Sequence, residues 1–95
     1  MEITHKGNEF IATIDDQQAG LIEYSLVNEH TIILAHTEVN DNFRGQGVGQ
    51  AILKHIIEYA RENDIRLIPL CPFTKAEIDK HPEYHDVLHQ KTEKS

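Results

Sequence analysis

Apolar and polar side chains alternate along the first half of the chain in the manner of half-buried strands, over residues 10–14, 21–27 and 31–39. The polar runs between them, 15–20 and 28–30, are too short for crossovers and predict an antiparallel meander. After Val39 the period changes. A polar, glycine-bearing loop over 40–46 leads into a stretch whose apolar positions Val48, Ala51, Ile52, Ile56, Tyr59 and Ala60 recur at helical spacing, which predicts a helix from about Gly47 to Asn63. Residues 66–70 read as the next strand, with Pro69 placing it at an edge or a splayed position. Thr74-Lys75-Ala76-Glu77 matches a capping box for a short helix. Pro82 starts a last helix through about Leu88, and residues 91–95 read as a frayed tail.

This is an α/β (α+β) pattern, and 95 residues hold a single domain, 1–95, around one core. Such a chain is expected to have no separate substrate domain, with a second reactant binding at its rim or at a partner interface. Nine Lys and Arg against sixteen Asp and Glu give a formal charge of -7, which repels nucleic acid and anionic lipid and favours cationic partners. Cys71 has no second cysteine to pair with, and Met1-Glu2-Ile3-Thr4 lacks the basic and apolar regions of a signal peptide. With no apolar run near the roughly 20 residues of a membrane span, the expectation is a cytoplasmic protein without nucleic-acid or membrane partners. Charge and size leave the oligomeric state open.

The chemistry-bearing segment is Arg44-Gly45-Gln46-Gly47-Val48-Gly49, between a strand and a helix. Its glycines let the backbone approach a bulky anion, and the helix start supplies free amides at the positive end of the helix dipole. Gly47, Val48 and Gly49 are the expected donors, with a tight turn whose glycines serve only geometry as the alternative. No Gly-Lys-Ser/Thr follows, as a Walker A loop requires, and the preceding strands lack the parallel crossover of a dinucleotide fold.

In this context the chain resembles the GNAT N-acetyltransferase superfamily, whose signature Gln/Arg-x-x-Gly-x-Gly/Ala is met by Arg44, Gly47 and Gly49 after a strand ending His36-Thr37-Glu38-Val39. The resemblance covers roughly residues 10 to 73. Arg44-Gly45-Gln46-Gly47, Cys71-Pro72-Phe73 and His81-Pro82-Glu83-Tyr84 are similar to a small stand-alone subgroup of that superfamily. It implies a minimal core whose mostly antiparallel sheet splays between two central strands, here 31–39 and 66–70, to admit acetyl-coenzyme A. The cofactor-binding residues would be Val39, Arg44, Gly45, Gln46, Gly47, Val48, Gly49 and Gln50. The implied activity is transfer of an acetyl group from acetyl-coenzyme A to an amine acceptor. The chain lacks the family's helical segment after the first strand and its closing strand pair, so its usual acceptor walls are missing. A non-catalytic acyl-coenzyme A-binding or sensing module, or an interaction domain with a vestigial loop, are the alternatives.

Acetyl transfer to an amine needs a base and a donor that polarises the carbonyl. Glu38, near the end of its strand, is the candidate base, against an exposed strand glutamate, and an amide near Val39 the candidate donor. Cys71 follows the second flanking strand, where a thiolate could accept the acetyl group, against a buried core cysteine. His81, His85 and His89 share helical spacing but lack further ligands for zinc, so no metal is expected. Tyr84 could reprotonate the coenzyme A thiolate or simply pack, and His36 could line the cleft. Lys54, Arg61 and Lys75 could meet the cofactor's outer phosphate or face solvent.

Overall fold

A computed structural model describes residues 1–89. Four antiparallel strands run as a meander, β1 (Glu2–Lys6), β2 (Glu9–Ile14), β3 (Gln17–Asn28) and β4 (Thr31–Val39). Helix α1 (Val48–Asn63) then returns the chain so that β5 (Arg66–Pro69) lies parallel to β4. Helix α2 (Pro72–Lys80) and a 3-10 turn, Pro82–Val87, complete the described chain. The α+β core, the meander and the edge position of Pro69 agree with the sequence reading, and the frayed tail expected at 91–95 lies outside the described residues.

Three local outcomes differ from the pattern-based expectation. β1 carries a single strong apolar residue, Ile3, and so no alternation signal, yet Ile3 and His5 pair with Ala12 and Phe10, and His5 stacks on Phe10 at 4.1 Å. The polar run 15–20 is not a six-residue connector. Asp15 and Asp16, at φ 51° and 65°, form a two-residue turn in the left-handed region, and Gln17–Gly20 already belong to β3. The capping box at 74–77 does not form, because α2 starts earlier, at Pro72 with Cys71 as its N-cap. Thr74 instead donates its hydroxyl to the Cys71 carbonyl at 2.9 Å.

The core lies between one sheet face and the helices. Phe10, Ala12, Ile22, Ile32, Leu34 and Leu67 from the strands meet Val48, Ile52, Leu53, Ile56, Ile57 and Ala60 of α1. Each large aliphatic side chain buried there contributes about 1.5–3 kcal/mol, an upper estimate. α1 stops where Asp64 turns left-handed at φ 55° and its amide reaches the Ala60 carbonyl, at the end expected near Asn63.

At the C-terminal end of α1, Arg61 grips Asp86 with both arms, at 2.9 Å each, and also donates to the Glu83 carbonyl. Arg66 donates to the Asp86 carbonyl at 3.0 Å, so the 3-10 turn is clamped to α1 and β5. The Arg61 guanidinium holds the Asp86 carboxyl below its ordinary range. The clamp's stabilisation is therefore full above the unfolded-state pKa of about 3.9 and is lost as pH falls through the lower folded value. Both side chains are about half exposed, so solvent screens the pair and keeps its effect small. Asp86→Asn is expected to lower Tm by a few degrees at pH 7, with the gap to wild type closing below pH 4. A gap that stays constant with pH would contradict this.

Candidate functional site

The site grows out of a parting of two strands. β5 pairs with β4 only from Thr31 to Leu34, and the amides of Leu70 and Cys71 both donate to the Leu34 carbonyl at 3.1 Å. β4 then continues alone to Val39. On its other side it stays paired with β3, but with a bulge at Ala35, since Leu34 opposes Tyr24 while His36 opposes Glu23. The extra residue reverses the alternation. Thr37 and Val39 turn toward the helices, and His36 and Glu38 turn to the uncovered face, where they pair at 2.9 Å.

Beyond Val39 the Asn40 amide donates to the Ala19 carbonyl at 2.7 Å, and the Asn40 side chain caps a 3-10 turn, Asp41–Phe43. Two glycines with positive φ follow, Gly45 at 84° and Gly47 at 73°, and Gly47 is the N-cap of α1. A glycine cap has no side chain to offer the helix. The first intrahelical bond runs from the Ala51 amide to the Gly47 carbonyl, 2.9 Å, so the amides of Val48, Gly49 and Gln50 have no partner within the helix. They lie in a groove of about 500 Å³ lined by Val39, Phe43, Arg44, Gly45, Gly47, Val48, Gly49, Gln50 and Phe73. Oriented free amides at a helix start form an anion-binding surface, here in a chain whose formal charge is -7.

The glycines divide their tasks. Gly45 and Gly47 have open space where a Cβ would sit, so their backbone angles are what call for glycine. Gly49 has ordinary helical angles, and a Cβ there would lie 2.7 Å from the Phe73 ring. Gly20 similarly lets Val48 and β4 close in, since a Cβ there would lie 2.7 Å from the Glu38 carbonyl oxygen. Gly20 thus sets how closely the start of α1 approaches the sheet.

Seven of the eight expected binding residues line the groove, and Gln46, exposed, does not. Arg44 lines it with its side chain exposed and paired to Asp41 at 2.6 Å. Glu38 lies outside the groove, and Phe43 and Phe73 are additions; nothing in a linear pattern marks Phe73 as the ring that covers Gly49 in another helix. Lys54 is exposed on α1 and Lys75 faces Asp79 at 3.9 Å. Arg61 is held by Asp86 at the opposite end of α1 from the glycine loop, which removes it as a phosphate ligand. Tyr84 packs half-buried against the core and His81, and burial pushes its phenol up. His85 bonds the Ile78 carbonyl, and no metal-holding group exists among the described residues.

Cys71 sits at the parting, where its thiol donates to Thr37 Oγ1 at 3.3 Å across the opening. Burial raises the thiol pKa. The Thr37 hydroxyl and the amides of Thr74, Phe73 and Thr37 favour the thiolate more strongly, so the net shift is downward. Two of those amides belong to the first turn of α2.

The chain is similar to known proteins. The model of the family described as GCN5-related N-acetyl-transferase matches residues 9–87. A GCN5-like protein from Staphylococcus aureus is similar in structure, with a TM-score of 0.76 and 34% identity, over 98% of this chain and 92% of that one. The protein NATD1 of Xenopus tropicalis is 30% identical over 59 residues, which are 62% of this chain and 54% of the relative. The human NATD1 is 27% identical over 59 residues, 62% of this chain and 52% of that protein. The chain thus spans about half the length of the curated relatives it matches. A GNAT acetyltransferase from Elizabethkingia anophelis with acetyl-CoA bound shares the fold, with a TM-score of 0.61 and 18% identity over 80% of this chain and 51% of that one.

The thiol environment is directly testable. Iodoacetamide labelling of Cys71 against pH is expected to show a midpoint below the ordinary cysteine value of about 8.5, and Thr37→Val should move it upward. An unshifted midpoint in Thr37→Val would remove the hydroxyl as a cause.

Proposed function

Because the chain belongs to the GCN5-related N-acetyltransferase family, we propose that it moves an acetyl group from acetyl-coenzyme A to an amine acceptor in the cytoplasm. One observation carries the reading: the unpartnered amides of Val48, Gly49 and Gln50 open into a groove beside the point where β4 and β5 part. Those amides suit a pyrophosphate, and the unpaired edge of β4 beyond Leu34 suits an extended amide-bearing arm. The acetyl-CoA held by the Elizabethkingia anophelis protein on the same fold supports this cosubstrate.

The lowered thiol pKa of Cys71 and its position at the opening support a two-step route. The Cys71 thiolate attacks the thioester carbonyl, the bond from that carbon to the coenzyme A sulfur breaks, and coenzyme A departs as a thiolate that takes up a proton. The acceptor amine then attacks the S-acetyl group and releases the Cys71 thiolate. Glu38 stands with His36 on the uncovered face of β4, the side from which an acceptor reaches the opening without passing the helices. Its carboxylate takes the amine's proton in this reading. The acidic surface favours an acceptor that carries further positive charge.

A binding or sensing module is the second reading, favoured by the absence, among the described residues, of any strand pair beyond β5 that would wall an acceptor site.

Calorimetric titration of wild type with acetyl-coenzyme A is expected to show one site. Gly47→Glu should weaken binding at least about tenfold, since a left-handed backbone costs a non-glycine residue about 1–2 kcal/mol and the new carboxylate repels phosphate. Cys71→Ala should abolish amine acetylation while leaving acetyl-coenzyme A affinity within about twofold. Full activity in that variant would exclude the S-acetyl route. Binding by wild type without transfer to any amine would leave the sensing module.

A further inference from the structure

The described core holds one buried carboxylate without an evident structural purpose, that of Glu77, only 8% exposed. Burying a carboxylate is costly unless it is paired. Lys80 Nζ lies 3.6 Å and His81 Nε2 3.7 Å from its oxygens, and Gln50 Nε2 donates to Oε2 at 3.4 Å. Gln50 belongs to the first turn of α1, so a buried charge on α2 reaches into the groove's own helix start. Phe73, one turn before Glu77 on the same face of α2, covers Gly49 in that same turn.

A carboxylate accepts only from the amino end of Gln50, which fixes the orientation of the amide. The carbonyl end is thereby turned to the glycine loop: Gln50 Oε1, at 3.9 Å, is the nearest neighbour of the point where a Gly47 Cβ would sit. Gln50 is the third residue of α1 and Gly47 its N-cap. In a capping box the third residue returns to the cap's backbone while the cap side chain occupies amides of the first turn. Here the Gln50 side chain turns back beside the cap at van der Waals range, and a glycine cap has no side chain to send outward. The loop is flanked by that side chain, and the first-turn amides are left open for a ligand.

Resting on the reading above, we propose that Glu77 is a positioning residue for the anion loop, acting through the Gln50 side chain to hold Gly47 in its left-handed conformation. It touches neither cosubstrate nor acceptor. Its contribution is pre-organisation, since Gly45 and Gly47 otherwise give the loop wide conformational freedom.

The test is a double-mutant cycle read by coenzyme A titration and by amide hydrogen exchange at Gly47 and Val48 in the ligand-free protein. Glu77→Leu and Gln50→Ala should each weaken coenzyme A binding about tenfold and speed that exchange, and the double variant should be no worse than the poorer single one. Glu77→Gln, which still accepts from Gln50, should keep most of the affinity. Gln50 is exposed, so Gln50→Ala reads the loop even where Glu77→Leu fails to fold. Independent multiplication of the two effects, equal losses in Glu77→Gln and Glu77→Leu, or unchanged exchange in Gln50→Ala would each overturn the proposal. Failure of wild type to bind coenzyme A would defeat the functional reading instead, while the exchange data would still decide whether Glu77 braces the loop.

Discussion

One carbonyl limits the parallel pairing on which the rest of the site depends. Leu34 O receives the amides of both Leu70 and Cys71, and beyond it β4 and β5 exchange no further bonds. A sheet continuing past that point would fill the opening with its own ladder and leave no edge for a ligand. The bulge at Ala35 follows at once, so the strand that leaves the pairing also reverses its faces. Thr37 is thereby brought to Cys71 across the opening, while His36 and Glu38 are carried to the far side.

The start of α1 is the complementary half. A glycine N-cap leaves the first-turn amides exposed, a condition that a serine or aspartate cap would relieve at a gain of only about a few tenths of a kcal/mol in helix stability. The fold forgoes that gain and holds the terminus in place from outside. Val48 fits against Gly20, Phe73 against Gly49, and the Asn40 amide against Ala19. The loop can therefore remain glycine-rich without its helix losing position. In a chain of formal charge -7 the attraction for an anion is local, built from oriented backbone dipoles rather than net charge.

Much of this was legible in the sequence because it rests on local periodicity. β4 and α1 have strong alternation and strong helical spacing, and the loop between them is marked by its glycines, so the strand-loop-helix order and the donors Gly47, Val48 and Gly49 follow from pattern, and the wider set of lining residues from the family resemblance. What pattern misses depends on pairing across the chain. β1 is a strand because Ile3 and His5 find Ala12 and Phe10, not because its five residues alternate. Strict alternation from Leu34 would put Glu38 on the helix side, and only the register with β3 exposes the bulge that sends it outward. The residues that depress the Cys71 thiol are distant in sequence or depend on where α2 starts, and the apparent capping box at 74–77 pointed to the wrong start. Phe73 and Glu77 act on a neighbouring helix, a relation that no single segment encodes.

The central claim is that the parting of β4 from β5 and the open first turn of α1 form one ligand site. Amide chemical-shift mapping of the protein during titration with coenzyme A tests it most directly. The account predicts the largest shifts at residues 45–50 and along the unpaired edge of β4 from Ala35 to Val39, with β1 and the C-terminal turn of α1 unmoved. Shifts concentrated elsewhere, or on the loop alone with β4 silent, would contradict it.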